Sequence, residues 1–299
     1  MTNKQRNDMV IFSLVIPTMG RTAELEVLFE SLVQQHFPQL ECIVVDQNPD
    51  ERLLPIIARW SNRLEIRHVR SSKGASKARN TGLAMASGQF VAFPDDDCWY
   101  SPSLLHHVYA WFKAHANYDI LTVGACDEYG VPSGNRWIQR HCEIRPINAF
   151  RTTFCSSIFL RLTEPVRHAS FDECAGPGAG TPWFCGEETD YILQLMHHGS
   201  KGHFEGSLTV GHPKRDMLSG EVDSRRARGY GAGMGYTLQK HSLFALGAAL
   251  TTYDVIRAVL VSCMGNIGAA KLCLEHARGI VTGLLPRTQN ASIRHGLCV

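Results

Sequence analysis

The stretch "FVAFPDDDCWY", Phe90–Tyr100, decides how the chain is read. Its first five residues are mostly apolar, as in a buried strand, and they stop abruptly at Asp95, Asp96 and Asp97. Three adjacent carboxylates repel one another and lose hydration beside a core, so something must offset that cost. A shared divalent cation does so. Hard oxygen ligands suit Mg²⁺ or Mn²⁺, which bridge protein carboxylates and phosphate oxygens. A solvated turn is the plainer reading, but it suits a lone acid better than three in a row after an apolar run.

Strand and helix signals alternate on both sides of this stretch. "VIFSLVIP" (Val10–Pro17) is an apolar run closed by proline, which predicts a buried strand. Leu25, Leu28, Phe29, Leu32 and Val33 then share one helical face, with Thr22 placed to cap its start. "ECIVVD" (Glu41–Asp46) predicts a second strand, followed by a helix around Glu51–Trp60 and a strand over Leu64–Arg70. A helix over Ser76–Ala86 precedes the carboxylate strand, and Leu104, Leu105, Val108, Trp111 and Phe112 stripe the next helix. Further strands are expected at Asp119–Ala125, at Thr152–Arg161 and in "HFEGSLTVGHP" (His203–Pro213). This alternation predicts an α/β fold, a mainly parallel sheet with helices on both faces. Ligands bind such sheets beyond the carboxyl ends of the strands, where Asp46, Asp95–Asp97 and Asp127 fall. A turn role suits Asp127.

Composition narrows the function classes. Of 299 residues, 44% are hydrophobic, and 30 Lys and Arg oppose 28 Asp and Glu for a net charge of +2. That balance creates no field suited to nucleic acid. Ten cysteines are scattered without a CxxC pair, and "MTNKQRNDMV" lacks a long apolar run. Both features predict a reducing, cytoplasmic setting with mostly buried thiols.

The texture changes after Asp216. "SRRARGYGAGMGYTLQKH" (Ser224–His241) is basic and glycine-rich, and long apolar helices are expected from there to Leu285. "GYGAGMGY" lacks GxGxxG spacing and follows no strand of a βαβ unit, which excludes a dinucleotide loop. The expected organisation is a catalytic domain over 1–215 and a helical extension over 216–299.

Other segments could complete a diphosphate site. "VIPTMGR" puts Thr18, Gly20 and Arg21 beyond the first strand, and "KGASKARN" brings Lys73, Lys77 and Arg79. "GEETD" puts Glu187, Glu188 and Asp190 at a helix start, where acids also occur simply to oppose the dipole.

In order and spacing, "SLVIPTMGR", "LFESLVQQHFPQLECIVVDQ", "KGASKARNTGLAMASGQFVAFPDDDCWYSP" and "FDECAGPGAGTPWFCGEETDYILQLMHHG" resemble family 2 glycosyltransferases of the GT-A fold. The likeness spans roughly residues 10–215. It implies a nucleotide-diphospho-sugar donor, typically a UDP-sugar, and inversion at the anomeric carbon. Pro17, Thr18 and Arg21 match the first nucleotide-contacting loop. Asp46 matches the acid that binds the base, and Lys73 and Arg79 match the segment near base and phosphates. Asp95–Asp97 match the DxD element. Its last acid, Asp97, would touch the Mn²⁺ or Mg²⁺, while Asp95 and Asp96 would serve ribose, sugar or metal. His212 matches a further metal ligand. Glu188 stands where the family's catalytic base is usually an aspartate, with Glu187 and Asp190 as alternates. Trp183, in the glycine-rich "AGPGAGTPW" loop, suits either stacking on an acceptor sugar or packing within the protein. The implied acceptor is a glycan, lipid-linked in surface or exported polysaccharide synthesis. The alternatives are a sugar nucleotidyltransferase and a catalytically degenerate nucleotide-sugar binder. "PTMGRTAEL" is a poor match to the loop the nucleotidyltransferase requires.

The C-terminal apolar region is interrupted by Asp254 and Arg257, so neither charge-free stretch reaches the roughly 20 residues that span a bilayer. Cations flank it, among them Arg225, Arg226, Arg228, Lys240, Lys271 and Arg278. Apolar faces with basic flanks predict a helix lying on the inner face of the cell membrane, and plain packing or dimerisation is the competing expectation.

Overall fold

The structure is a computed structural model that describes residues 9–35, 37, 39–134, 137–138, 140–213 and 224–285. The chain opens with β1 (Phe12–Thr18), α1 (Ala23–Val33), β2 (Leu40–Asp46), α2 (Leu54–Trp60) and β3 (Glu65–Arg70). Next come α3 (Ala75–Leu83), β4 (Phe90–Ala92), α4 (Leu104–Ala114), β5 (Ile120–Cys126) and β6 (Cys142–Glu143). The remainder is β7 (Ile158–Arg161), α5 (Glu164–His168), α6 (Glu187–His197), β8 (Gly202–Gly211), α7 (Ser224–Lys240), α8 (Phe244–Cys263) and α9 (Ile267–Leu284).

The strands form one sheet in the order β3-β2-β1-β4-β7-β5-β8-β6. Pairs β1–β2, β2–β3, β1–β4 and β5–β8 are parallel, while β4–β7, β5–β7 and β6–β8 are antiparallel. Strand order reverses between β1 and β4, the kind of switch point where parallel sheets open a crevice for ligands. Every residue of β1 and β2 is buried, so these strands read as unbroken apolar runs rather than alternating ones. Ser13, Thr18, Glu41 and Asp46 are the buried polar exceptions, and the Glu41 carboxylate accepts from Ser13 Oγ at 2.6 Å and Ser87 N at 2.9 Å. Phe90 stacks on Phe112 at 4.6 Å, and the Arg161 guanidinium lies over both rings at 5.4 and 5.3 Å.

Two local expectations change. Thr22 stands at the start of α1 but makes no side-chain cap hydrogen bond. The strand expected over Thr152–Arg161 is regular only from Ile158, because 3₁₀ turns at Ala149–Arg151 and Cys155–Ser157 precede it.

The β5–β8 register slips between Val123, opposite Glu205, and Gly124, opposite Thr209. Gly206, Ser207 and Leu208 therefore bulge out of the ladder.

The chain divides into two compact units. The first holds the sheet and comprises Met1–Lys73, Lys77–Ser170 and Tyr191–Arg215. The second comprises Gly74–Ser76, Phe171–Asp190 and Asp216–Val299. Residues 171–190 group with the C-terminal helices, and the boundary expected after 215 lies outside the described residues.

Within the second unit, the glycine-rich segment is the helix α7. Gly231 and Gly235 face α9 so closely that an added Cβ would meet His276 O at 2.1 Å and Ile280 O at 2.2 Å. Gly279 and Gly283 of α9 answer from the other side, against Arg228 O and Ala232 O. The intervening Gly229 and Gly233 accommodate Phe184 and Cys185 of the loop. Two glycine rows thus serve two neighbours of one helix, the small-residue packing that lets backbones touch.

Candidate functional site

The site in the first unit is built at strand ends. β1 finishes at Thr18, and the chain turns at Gly20, whose φ of +81° favours glycine. Gly20 N donates to Asn48 Oδ1 at 2.7 Å, which ties this turn to the end of β2. There Asp46 is fully buried. Its Oδ1 accepts from Asn48 N and Nδ2, both at 2.8 Å, and its Oδ2 lies 3.0 Å from His68 Nε2 and 3.6 Å from Arg70 Nε.

Beyond β4 the three acids take different partners. Asp95 Oδ1 accepts from Arg79 Nη2 at 3.0 Å, and its Oδ2 accepts from Ser156 Oγ at 2.7 Å. Ser156 lies in the second 3₁₀ turn, the segment that was expected to be strand. Burial opposes the Asp95 charge, but Arg79, Ser156 and His212 outweigh it and hold the carboxyl below its ordinary range. Asp96 is buried and ion-paired with Arg21 Nη1, while Arg21 Nη2 reaches Asp97 Oδ2 at 2.7 Å. At Asp96 burial prevails over Arg21, and the carboxyl is pushed up. Burial, then Asp95, Asp97 and Asp96, push the neighbouring Cys98 thiol well above its usual range, which leaves it protonated and inert.

His212 reaches the acids through a backbone device. Trp99 N donates to Gly211 O at 3.0 Å, and Gly211 N returns to Trp99 O at 2.8 Å. The indole covers Gly211 so tightly that a Cβ there would meet Trp99 Cε2 at 2.0 Å. This bridge draws the segment after the acids alongside the end of β8. His212 Nε2 consequently lies 3.6 Å from Asp97 Oδ1. Its Nδ1 is 2.8 Å from Pro213 O, and a carbonyl only accepts, so Nδ1 donates there and Nε2 is the nitrogen turned toward the acids.

Donor atoms of Asp95, Asp97 and His212 all lie within 4.8 Å of one another. Two carboxylates and an imidazole with its Nε2 turned inward fit a divalent cation such as Mn²⁺ or Mg²⁺. Asp127 is not part of this group. Its Oδ1 accepts from Tyr129 N at 3.0 Å and Val131 N at 2.8 Å, a turn as expected. Pro17 and Thr18 are buried at the end of β1, and Lys73 is exposed.

The other candidates lie in the second unit. Glu187 is buried, with its carboxylate against Gly176, where a Cβ would meet Glu187 Cδ at 2.6 Å. Asp190 is held by Lys240 Nζ at 2.9 Å and His241 Nε2 at 2.8 Å. Lys240 also bonds Asp172 Oδ2 at 2.9 Å, and Tyr236 donates to the same oxygen at 2.7 Å. Burial opposes the Asp172 charge, yet Tyr236 and Lys240 hold its carboxyl below the usual range. Trp183 stacks on Tyr236, with ring centroids 4.6 Å apart. Glu188 is half-buried in the first turn of α6.

A model of glycosyl transferase family 2 matches residues 13–169, more than half of the chain. The chain belongs to this family. Among family 2 relatives, the poly(ribitol-phosphate) beta-N-acetylglucosaminyltransferase TarS of Staphylococcus aureus is 31% identical over 38% of this chain and 21% of its own. WfgD of Escherichia coli, named as a UDP-Glc:alpha-D-GlcNAc-diphosphoundecaprenol beta-1,3-glucosyltransferase, is 27% identical over 38% of this chain and 48% of its own. The chain thus spans about a fifth and about half of these two relatives. Solved structures share the fold at greater sequence distance. TarS 1–349 in complex with UDP-GlcNAc superposes with a TM-score of 0.57 at 18% identity, over 91% of this chain and 90% of that one. The mannosyltransferase PcManGT of Pyrobaculum calidifontis, in complex with GDP-Man and Mn²⁺, gives 0.58 at 14% identity, over 92% and 87%.

Ser156, Asn48 and His68 lay outside the sequence reading, as did the clamp of Asp172, Tyr236, Lys240 and His241. Ser156 was hidden by a mistaken strand. The others are ordinary polar residues in sequence and become informative only when the strand ends and the loop bring them to an acid.

Proposed function

We propose that the protein transfers a sugar, with inversion, from a nucleotide-diphospho-sugar to an acceptor hydroxyl, with help from a divalent cation. The convergence of Asp95, Asp97 and His212 beside Arg21 and Arg79 carries this reading. Asp97, Asp95 and His212 hold the cation, Mn²⁺ or Mg²⁺, which supplies positive charge to the leaving diphosphate. Arg21 and Arg79 add cationic charge on the protein side, with Lys73 an exposed recruit. Asp96 takes a ribose or sugar hydroxyl. Asp46 receives the nucleobase N–H, in competition with its present donors Asn48 and His68. Pro17 and Thr18 form the wall of the nucleotide loop.

Glu188 serves as the base that accepts the proton of the attacking hydroxyl. Glu188 stands where the family resemblance puts the base and is half-buried, whereas Glu187 and Asp190 are buried, which favours Glu188 among the three. The acceptor is a glycan, and the name of WfgD supports the lipid-linked class. The ligands in the TarS and PcManGT structures support a nucleoside-diphosphate donor.

The test is a thermal-shift panel of UDP-glucose, UDP-N-acetylglucosamine and GDP-mannose, each with and without Mn²⁺, followed by product analysis. Stabilisation by one donor that depends on Mn²⁺, with release of the nucleoside diphosphate, is expected. Stabilisation by none would overturn the donor site, and inorganic pyrophosphate as product would convert the reading to a nucleotidyltransferase. Asp97→Ala should stay folded and lose turnover; a fully active variant would remove the cation site from the mechanism.

A further inference from the structure

The apolar C-terminal segment, which Asp254 and Arg257 divide in sequence, folds as one continuous helix, α8. The two charges do not divide its outer surface. Asp254 is buried and faces α9, its Oδ2 2.6 Å from His276 Nδ1. Arg257 is only half-exposed. What remains outside is aliphatic and aromatic: Tyr253, Ile256, Val259 and Leu260 are each more than half exposed, Met264 is 83% exposed and Ile267 is 65% exposed. By length and composition α8 is apolar enough to cross a membrane, contrary to the sequence expectation, and most of it is left uncovered.

Among the described residues, the second unit does not use this face for its own packing. α7 and α9 meet through glycine backbones, and α8 rests on α9 through Ala258, Ala270 and Cys273. One side of α8 is thereby committed and the opposite side is left to another partner.

Charge selects that partner. Helices α7–α9 carry seven Lys and Arg (225, 226, 228, 240, 257, 271, 278) and two acids, Asp254 and Glu275; the other described acids of the unit lie in 171–190, where Asp172 and Asp190 take Lys240. Both acids are already paired, Asp254 with His276 and Glu275 with Arg278. Arg225, Arg228, Lys271 and Arg278 are exposed. A second copy seated on this face would bring the same exposed cations of α7 and α9 against the first. Anionic lipid headgroups complement those cations, while acyl chains accept the aliphatic surface.

We propose that the outer face of α8 and the α8–α9 turn dock in the plane of an anionic bilayer. The Asp254–His276 pair turns the one acid of α8 away from lipid and fixes α8 alongside α9. This geometry favours lying over spanning, since a spanning α8 would carry the pair and Arg257 into hydrocarbon. The inference stands apart from the donor chemistry.

The test uses the full chain in flotation with vesicles of phosphatidylcholine alone, and with vesicles in which phosphatidylglycerol replaces part of it. A triple variant, Leu260→Glu with Met264→Glu and Ile267→Glu, is compared at low and high salt. Because all three positions are solvent-facing, the variant should fold and melt like the parent. The parent is expected to float with anionic vesicles about tenfold better than with neutral ones and to lose much of that advantage in high salt. The variant is expected to stay at the bottom. Failure of the parent to float, or equal flotation of the variant, would overturn the proposal. So would a vesicle-independent dimer of the parent that the variant dissolves, because that result assigns the face to a second copy. Donor-induced thermal shifts recorded on both proteins keep this outcome separate from the fate of the donor site. A less invasive variant, Val259→Ser with Leu260→Ser, gives a graded loss of flotation if the triple variant fails to fold.

Discussion

The two units are held together in opposite ways. In the sheet unit, bulky apolar side chains fill the interior: Phe12, Phe29, Phe90, Phe112 and Phe159 are essentially inaccessible to solvent. In the helical unit, α7 and α9 approach backbone to backbone through Gly231, Gly235, Gly279 and Gly283, and large apolar side chains of α8 point outward. The first interior depends on atoms that are present, the second on atoms that are missing. Subtraction should therefore damage the first and addition the second.

The largest effect is expected from subtraction. Phe90→Ala removes a ring that touches Phe12, Phe112 and the Arg161 guanidinium. It should cost about 3–5 kcal/mol in denaturant unfolding. A loss below about 1 kcal/mol would mean that the sheet core tolerates cavities and that the contrast is false.

Addition comes next. Gly231→Ala raises helix propensity but places a methyl 2.1 Å from His276 O, for an expected net loss of about 1–3 kcal/mol. Gly268→Ala, near the start of α9, meets only Asn266 Oδ1 at 3.8 Å and should instead stabilise by roughly 0.5–1 kcal/mol. Equal effects at the two glycines would show that propensity, not close approach, explains the glycine-rich helix.

Charges sharpen the same contrast. At the strand ends, Arg21 lies across Asp96 and Asp97 and competes with any cation for Asp97. Arg21→Met should tighten Mn²⁺ binding in the absence of nucleotide by about tenfold, a difference of about 1.4 kcal/mol read by calorimetry. Weaker binding would mean that Arg21 organises the acids rather than competing for them.

The smallest effect is expected in the loop clamp. Asp172 has a lowered pKa, so its bonds to Tyr236 and Lys240 contribute stability that is present above the usual aspartate range. That contribution fades as pH falls below about 4. Asp172→Asn should lower Tm by about 2–4 °C at neutral pH and less at acid pH. A deficit that grows on acidification would reverse the sign of this linkage.

Much of the sheet unit was legible because its signals are local. Apolar runs closed by Pro17, Asp46 and Asp95–Asp97 mark strand ends, and the structure gathers Arg21, Asp46 and Asp95–Asp97 at or beyond those ends. Other parts were not legible because their reason is tertiary. Glycine costs about 1 kcal/mol per residue in a helix, so "GYGAGMGY" signals a loop until α9 supplies the backbone it packs against. Ser156 needed the 3₁₀ turn that replaced the expected strand. Asp254 appeared to interrupt an apolar segment because a linear reading cannot tell the inward face of a helix from the outward one. The nine described cysteines are all free, but only Cys42, Cys98, Cys155 and Cys273 are buried, fewer than their scatter suggested.

The slip in β8 makes that strand two short pieces joined by a seam. Glu205 lies opposite Val123 and Thr209 opposite Gly124, so the three residues of the link stand outside the ladder. Ser207, at the crest, is exposed. A reporter peptide spliced in at that crest is expected to leave Gly211 under its indole and His212 beside Asp97, giving a labelling handle away from the acid–histidine cluster.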